Sequence, residues 1–211
     1  MRSPWPVAVV VACGLPHVAA AQSGAARVGI AQARVERISP VNGTQAFSGL
    51  GFGLEGAFGI GPATLELRYF ESPLTADEVT DEVDLVEGEA LLWVTPVRWA
   101  SVGGGPHIRA YTEAGGTERW VMWELRGRAS ADLLQPTLAA YVEGWMTVGA
   151  SADVAEPLDA GRGLEGGLRV AVGRLPFSAR LRYRVERLEL GDGVRRETVE
   201  HFGIAIGIGW C

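Results

Sequence analysis

Three features of the sequence predict an all-β chain folded as an up-and-down antiparallel transmembrane β-barrel of about ten strands. Segment after segment alternates apolar and polar residues with period two, and none carries a helical period. The segments run to about 12–16 residues, longer than soluble strands and enough for the roughly 9–11 that a tilted strand needs to cross a bilayer. The connections alternate in kind, tight and proline-bearing at one end, longer and more polar at the other, as in a meander with two distinct ends.

Residues 1–21 are read as a secretory signal peptide outside the fold. Arg2 opens a short positive region, "PVAVVVACGLP" supplies an apolar stretch, and Ala19 to Ala21 before Gln22 fit a small-residue cleavage site. "VVAC", ending at Cys13, is the alternative, a lipoprotein processing site, but the apolar run ahead of it is short. Residues 22–211 then form a single barrel domain whose one cysteine, Cys211, has no intramolecular partner and no assigned role.

The ten segments centre near residues 32, 53, 68, 90, 106, 125, 143, 168, 183 and 203. The first begins with Val28 and Ile30 on one face but continues with Gln32, Arg34 and Glu36, which implies a bulge or a strand partly outside the bilayer. In "ATLELRYF", Leu65, Leu67 and Tyr69 oppose Thr64, Glu66 and Arg68. The fifth segment, "SVGGGPHIRAY", has Pro106 at its middle, where a closed barrel offers no edge strand, so a bulge or kink is expected. Without the first and fifth segments eight strands remain. "TLAAYVEGWMTV" sets Leu138, Val142 and Met146 against Tyr141, Glu143 and Trp145, and "FSARLRYRVE" sets Leu181, Tyr183 and Val185 against Arg180, Arg182, Arg184 and Glu186. The last, "HFGIAIGIGWC", puts Phe202, Ile204, Ile206, Ile208 and Trp210 on one parity and only Gly and Ala on the other.

Aromatic residues fall near the segment ends: Trp99, Phe177 and Trp210 on the tight-turn side, Tyr69, Trp120 and Phe202 on the loop side. Amphipathic rings at headgroup depth form such girdles in membrane barrels. Signal, alternating strands, unequal ends and a last strand closing near an aromatic together resemble the small bacterial outer-membrane β-barrels, as a class and not as any one family. The resemblance implies a Gram-negative outer-membrane location, contact with outer-membrane lipids, and a barrel assembly machinery that reads Phe202, Ile204, Ile206, Ile208 and Trp210. In that class the aromatic is usually the last residue, whereas here Cys211 follows Trp210.

If the apolar parity faces lipid, the other lines the lumen: Glu66, Arg68, Glu87, Glu89, His107, Arg109, Glu124, Arg126, Glu143, Arg180, Arg182 and Arg184, with Arg128, Glu165 and Arg169 of the same parity. An eight-stranded barrel is just filled by its side chains, so ten strands leave little room, and opposed Glu and Arg are expected to pair. A plugged, structural lumen is the first reading and a narrow, porin-like pore the second. The competing class is a soluble periplasmic barrel binding a lipid-like ligand, which would turn its apolar parity inward.

Catalysis has weaker support: His107 beside Glu124 could serve a lipid-modifying or proteolytic barrel enzyme, but no nucleophile or zinc motif accompanies them. No metal site or cofactor is expected; the acidic stretch "ADEVTDEVD" (Asp77, Glu78, Asp81, Glu82, Asp84) lacks fixed ligand spacing. The net charge of −6 opposes a nucleic-acid partner, and oligomeric state is not legible. All 19 basic residues are arginine, and 29 are glycine, roughly twice the usual share.

Overall fold

The computed structural model describes residues 22–210 apart from 42, 77–81, 136, 153–156, 173–175 and 192. Residues 1–21, where a signal peptide is expected, Cys211, and Asp77, Glu78 and Asp81 of the acidic stretch therefore lie outside the described residues. Ten strands form one closed barrel: β1 (Gln22–Ser39), β2 (Gly43–Ile60), β3 (Ala63–Ala76), β4 (Glu82–Val97), β5 (Ala100–Glu113), β6 (Gly116–Leu134), β7 (Leu138–Ala152), β8 (Leu158–Ala171), β9 (Phe177–Leu190) and β10 (Arg195–Trp210). Each pairs antiparallel with its chain neighbours, and β1 pairs with β10 from Gly24↔Trp210 to Ile38↔Arg196, so no strand is left with an unpaired edge. Gln22, which begins β1, and Trp210, which ends β10, both lie at the end that holds the Gly61–Pro62 turn, here called the terminal end.

The two ends differ less than expected: the terminal end has the two-residue connections 61–62 and 98–99 but also 172–176, while the far end ranges from the two-residue turn Ala114–Gly115 to 77–81 and 153–157. Glu71–Thr75, beyond the alternating run "ATLELRYF", is still paired strand. The strands are correspondingly long, from 14 to 19 residues.

That extra length comes with an inversion of polarity along the barrel axis. In the terminal half, the outward residues are apolar and exposed: Val28, Ile30, Leu54, Phe58, Leu65, Leu67, Leu92, Leu125, Leu164, Leu181, Ile204 and Ile206. On β9 this outward run extends from Phe177 to Val185, close to the roughly 9–11 residues a bilayer crossing takes. Toward the far end the outward positions become Gln32 and Arg34 on β1, Glu71 on β3 and Arg187 on β9, all exposed. The inward positions change in the opposite sense. Charged residues fill the terminal half, and a buried apolar layer of Phe47, Phe70, Leu74, Val83, Leu85, Tyr111, Trp120, Met122, Leu188, Leu190 and Val199 fills the far half. One half is built like a membrane barrel, the other like a soluble one with its own core.

The structure bears on three sequence expectations, choosing between the alternatives for β1 and Pro106 and correcting the placement of Trp120. β1 contains no bulge: its ladders to β2 and β10 run without interruption, and Gln32, Arg34 and Glu36 belong to the wall beyond the apolar band. Trp120 is not a girdle residue but 1% exposed inside the apolar layer, because it shares the parity of Glu124 and Arg126. Pro106 causes no shift of register. The β4–β5 ladder runs to Glu89↔His107 and resumes at Leu92↔Gly104, skipping Gly105 and Pro106, while Pro106 still stands opposite Trp123 on β6. Pro106 has no N–H to give, so the β4–β5 ladder lapses there while the β5–β6 ladder carries the strand past it.

The high glycine content has a use inside the wall. Trp93, Tyr141 and Trp145 stand opposite Gly103, Gly167 and Gly163 on the next strand, and a Cβ at any of these glycines would strike the facing ring. The rings lie over the bare backbone and offer their other faces to guanidinium groups: Arg128 is 4.1 Å from the Trp93 ring centre, Arg180 5.0 Å from Tyr141, and Arg126 and Arg184 each 4.7 Å from Trp145.

Candidate functional site

The charged half of the lumen is a single ion-pair network that crosses the barrel. Parity turns these residues inward, and the stagger of the strands sets which of them share a level. Arg126 on β6 reaches Glu143 on β7 (Nη1 to Oε1, 2.8 Å), pairs with Glu124, and approaches Glu89 on β4 at 3.0 Å. Arg128 donates to Glu143 at 2.7 Å and to Glu66 on β3 at 2.9 Å. Arg68 pairs with Glu66 at 2.9 Å on its own strand and extends toward Glu143 and Glu165 at 3.4 and 3.5 Å. Arg109 on β5 donates to Glu87 at 2.7 Å and to Glu186 on β9 at 2.6 Å. Arg184 pairs with Glu89 and Glu186.

The structure thus brings together Glu66, Arg68, Glu87, Glu89, Arg109, Glu124, Arg126, Glu143, Arg180, Arg182 and Arg184 with His107. Arg180 and Arg182 join through Glu55 on β2, at 2.9 and 2.5 Å. Glu55 was not singled out from the sequence, nor were Arg27, 3.8 Å from it, or Glu197. Glu55 is a lone acid among glycines and alanines; its parity with the gaps of β2 was the only signal. The small residues of β1, β2 and β10 make room for long ones from β9: a Cβ on Gly53 would lie 3.9 Å from Arg182 Nη2. Arg169, of lumen parity, is exposed at the terminal end.

Deep burial decides what this network can do. His107, Arg109, Glu143, Glu165 and Glu186 are 0% exposed. Voids of about 10 Å³ beside Glu55 and Arg182 and about 20 Å³ beside Glu87 and His201 hold a water at most. Side chains with no accessible surface do not line an aqueous channel. The charges are tolerated there because they are paired; an unpaired one would cost several kcal/mol.

The His107–Glu124 pair does form, Nδ1 to Oε1 at 2.9 Å, but both are sealed from any substrate. Glu87, His107 and Glu186 have the composition of a metal site. Yet Arg109 already bridges both carboxylates, and a cation there would face its guanidinium. Neither acid–base work nor ion binding is what this arrangement favours.

Above the apolar layer, at the far end, a second set of charges forms a rim. Arg37 donates to Glu113 at 2.8 Å and to Glu197 at 3.3 Å and lies 4.3 Å from the centre of the Tyr111 ring, while Arg195 donates to Glu118 at 3.0 Å. Tyr111 donates to Glu197 at 2.5 Å, tying rim to apolar layer. Arg37, Glu113, Glu118 and Arg195, together with Gln45, Phe47 and Val83, bound an open cup of about 800 Å³ whose floor is the apolar layer.

The residues of the expected assembly signal lie on β10, where Phe202, Ile204, Ile206 and Ile208 face outward and are exposed. Trp210 stands opposite Gly24.

No family model matches the chain, and no curated protein matches it. Among solved structures it is similar to Neisserial surface protein A (13% identity, covering 85% of this chain and 95% of that one, TM-score 0.44). It is similar also to the translocator domain of the autotransporter NalP from Neisseria meningitidis (12% identity, 85% and 87%, TM-score 0.44). A third likeness is to the β domain of the Bordetella autotransporter BrkA (16% identity, 87% and 99%, TM-score 0.38).

Proposed function

We propose that the chain is a non-conducting barrel of the Gram-negative outer membrane with an envelope-structural role, its terminal end toward the periplasm and its far half projecting beyond the bilayer. The membrane reading is supported by the exposed apolar band on all sides of a barrel whose charges turn inward. A soluble protein rarely exposes contiguous apolar surface on this scale. The soluble ligand-binding alternative needs the opposite parity, which here is confined to the far half and is filled by side chains. The single observation that carries the non-conducting reading is the 0% exposure of His107, Arg109, Glu143, Glu165 and Glu186 across the lumen.

Outer-membrane lipids are then the immediate neighbours of the band. The assembly machinery would read the outward face of β10, from Phe202 to Trp210. Two measurements test the proposal. Envelope fractionation should recover the protein only with detergent, in a form whose gel mobility changes on heating; recovery in periplasmic extract without detergent would overturn the membrane reading. In planar bilayers the purified barrel and an Arg182→Ala variant should both stay silent, and reproducible unitary conductance from the unmodified protein would establish a pore instead.

A further inference from the structure

The outward wall just beyond the apolar band carries arginines, and the strand register shows what four of them on β1, β8, β9 and β10 meet. Arg34 stands opposite Glu200, and Arg196 opposite Glu189. Arg162 on β8 and Arg187 on β9 stand opposite each other. Both are exposed, and among the described residues neither has an ion pair or hydrogen bond. Side chains directly opposed across an antiparallel pair are about 5 Å apart at Cβ, and like charges there are destabilising. Of the described acids on this face, Glu189 and Glu200 are set against Arg196 and Arg34.

The surroundings of the pair are equally specific. The row continues to Thr198, opposite Arg187, and to Met146, opposite Arg162. One step toward the termini the same two strands present Leu164 and Val185, the upper margin of the apolar band. Two guanidinium groups and a hydroxyl therefore sit directly above a wall that acyl chains would cover.

We propose that Arg162 and Arg187 clamp the phosphate of an anionic lipid in the leaflet at the far end of the barrel. The inference rests on the membrane-spanning reading given above. A phosphate between the two removes their repulsion and accepts from both, since the guanidinium fork matches phosphate oxygens. A lipid phosphate has a second contribution that free phosphate lacks: its acyl chains lie against Leu164 and the apolar residues below.

The test is native mass spectrometry of the full chain folded in detergent, offered diphosphoryl lipid A, its dephosphorylated counterpart with the same acyl chains, and inorganic phosphate. The unmodified protein should retain the diphosphoryl lipid about tenfold better than an Arg162→Gln/Arg187→Gln double variant, the scale expected for losing charge-assisted contacts. An Arg34→Gln control should retain it as well as the unmodified protein. The double variant should keep its heat-modifiable mobility, since it loses a repulsion and no partner. Equal retention by unmodified and double-variant protein, or equal retention of the phosphorylated and dephosphorylated lipids, would overturn the clamp. Full competition by inorganic phosphate at matched concentration would overturn the lipid assignment. A protein that stays folded and soluble without detergent would refute the membrane reading itself, whereas a detergent-folded barrel without phosphate preference refutes the clamp alone.

Discussion

Arg68 on β3 and Glu143 on β7 meet inside the barrel with 3.4 Å between Nη2 and Oε2, although three strands separate them around the wall. Contacts of this kind fasten opposite walls together: Arg180 to Glu55, Arg184 to Glu89, and Arg109 to Glu186 do the same from β9. The backbone ladders close the barrel as a ring, and the side-chain network fixes its cross-section. Sealing and stability therefore depend on the same residues.

Glu143 should be the most sensitive point of that network. It is 0% exposed and takes donors from Arg126, Arg128 and Arg68. Glu143→Gln keeps the shape but leaves three guanidinium groups short of one charge, a loss on the order of 3–5 kcal/mol for a buried pair. The expected outcome is a lower midpoint for heat-induced loss of the compact gel form. An unchanged midpoint would mean that water reaches this layer.

The glycine–aromatic pairs predict a cost for adding a single methyl group. Gly163 lies under the Trp145 ring, which Arg126 and Arg184 flank from the lumen. Gly163→Ala must push the indole inward against both guanidinium groups, with an expected cost of about 1–3 kcal/mol from overpacking. Gly127→Ala is the control, because a Cβ at that position would meet no atom within 4 Å. Unfolding in urea should separate the two variants, and equal midpoints would count against the ring contact.

Parity carried most of the fold and only part of the site. The alternation in "FSARLRYRVE" places Arg180, Arg182 and Arg184 inward, and the barrel does so. Depth is a different quantity, and a period of two does not encode it. Leu188 and Leu190 share the parity of Arg184 and Glu186, as Trp120 and Met122 share that of Glu124. That continuation was the legible sign of an apolar layer, but expecting one environment per face hid it. Which Glu meets which Arg depends on strand stagger around the closed ring, and that is set by pairing far along the chain.

The apolar layer and the charged layer should act independently on permeation. Leu188 is 1% exposed within the apolar layer, so Leu188→Ala opens a cavity at a cost of about 2–5 kcal/mol. The charged network beneath it loses no contact. The variant is expected to melt earlier yet remain silent in a planar bilayer, and conductance from Leu188→Ala would show that the apolar layer alone holds the seal.

The tryptophans allow the lipid-facing parity to be measured directly. Trp123 on β6 is 57% exposed among the outward apolar residues, whereas Trp93, Trp120 and Trp145 are at most 5% exposed in the interior. In vesicles whose acyl chains carry bromine, a contact quencher, Trp123 should be quenched and the interior rings should not. Trp123→Phe should remove much of the quenchable fluorescence while Trp120→Phe leaves it in place, provided both variants keep the heat-modifiable form. Trp99, 64% exposed in the β4–β5 turn, sits at the terminal end, and on the proposed membrane placement it should respond mainly to bromine placed near the headgroup. If Trp120→Phe abolished the quenching instead, the two faces of the wall would be exchanged, and with them the assignment of the charged parity to the lumen.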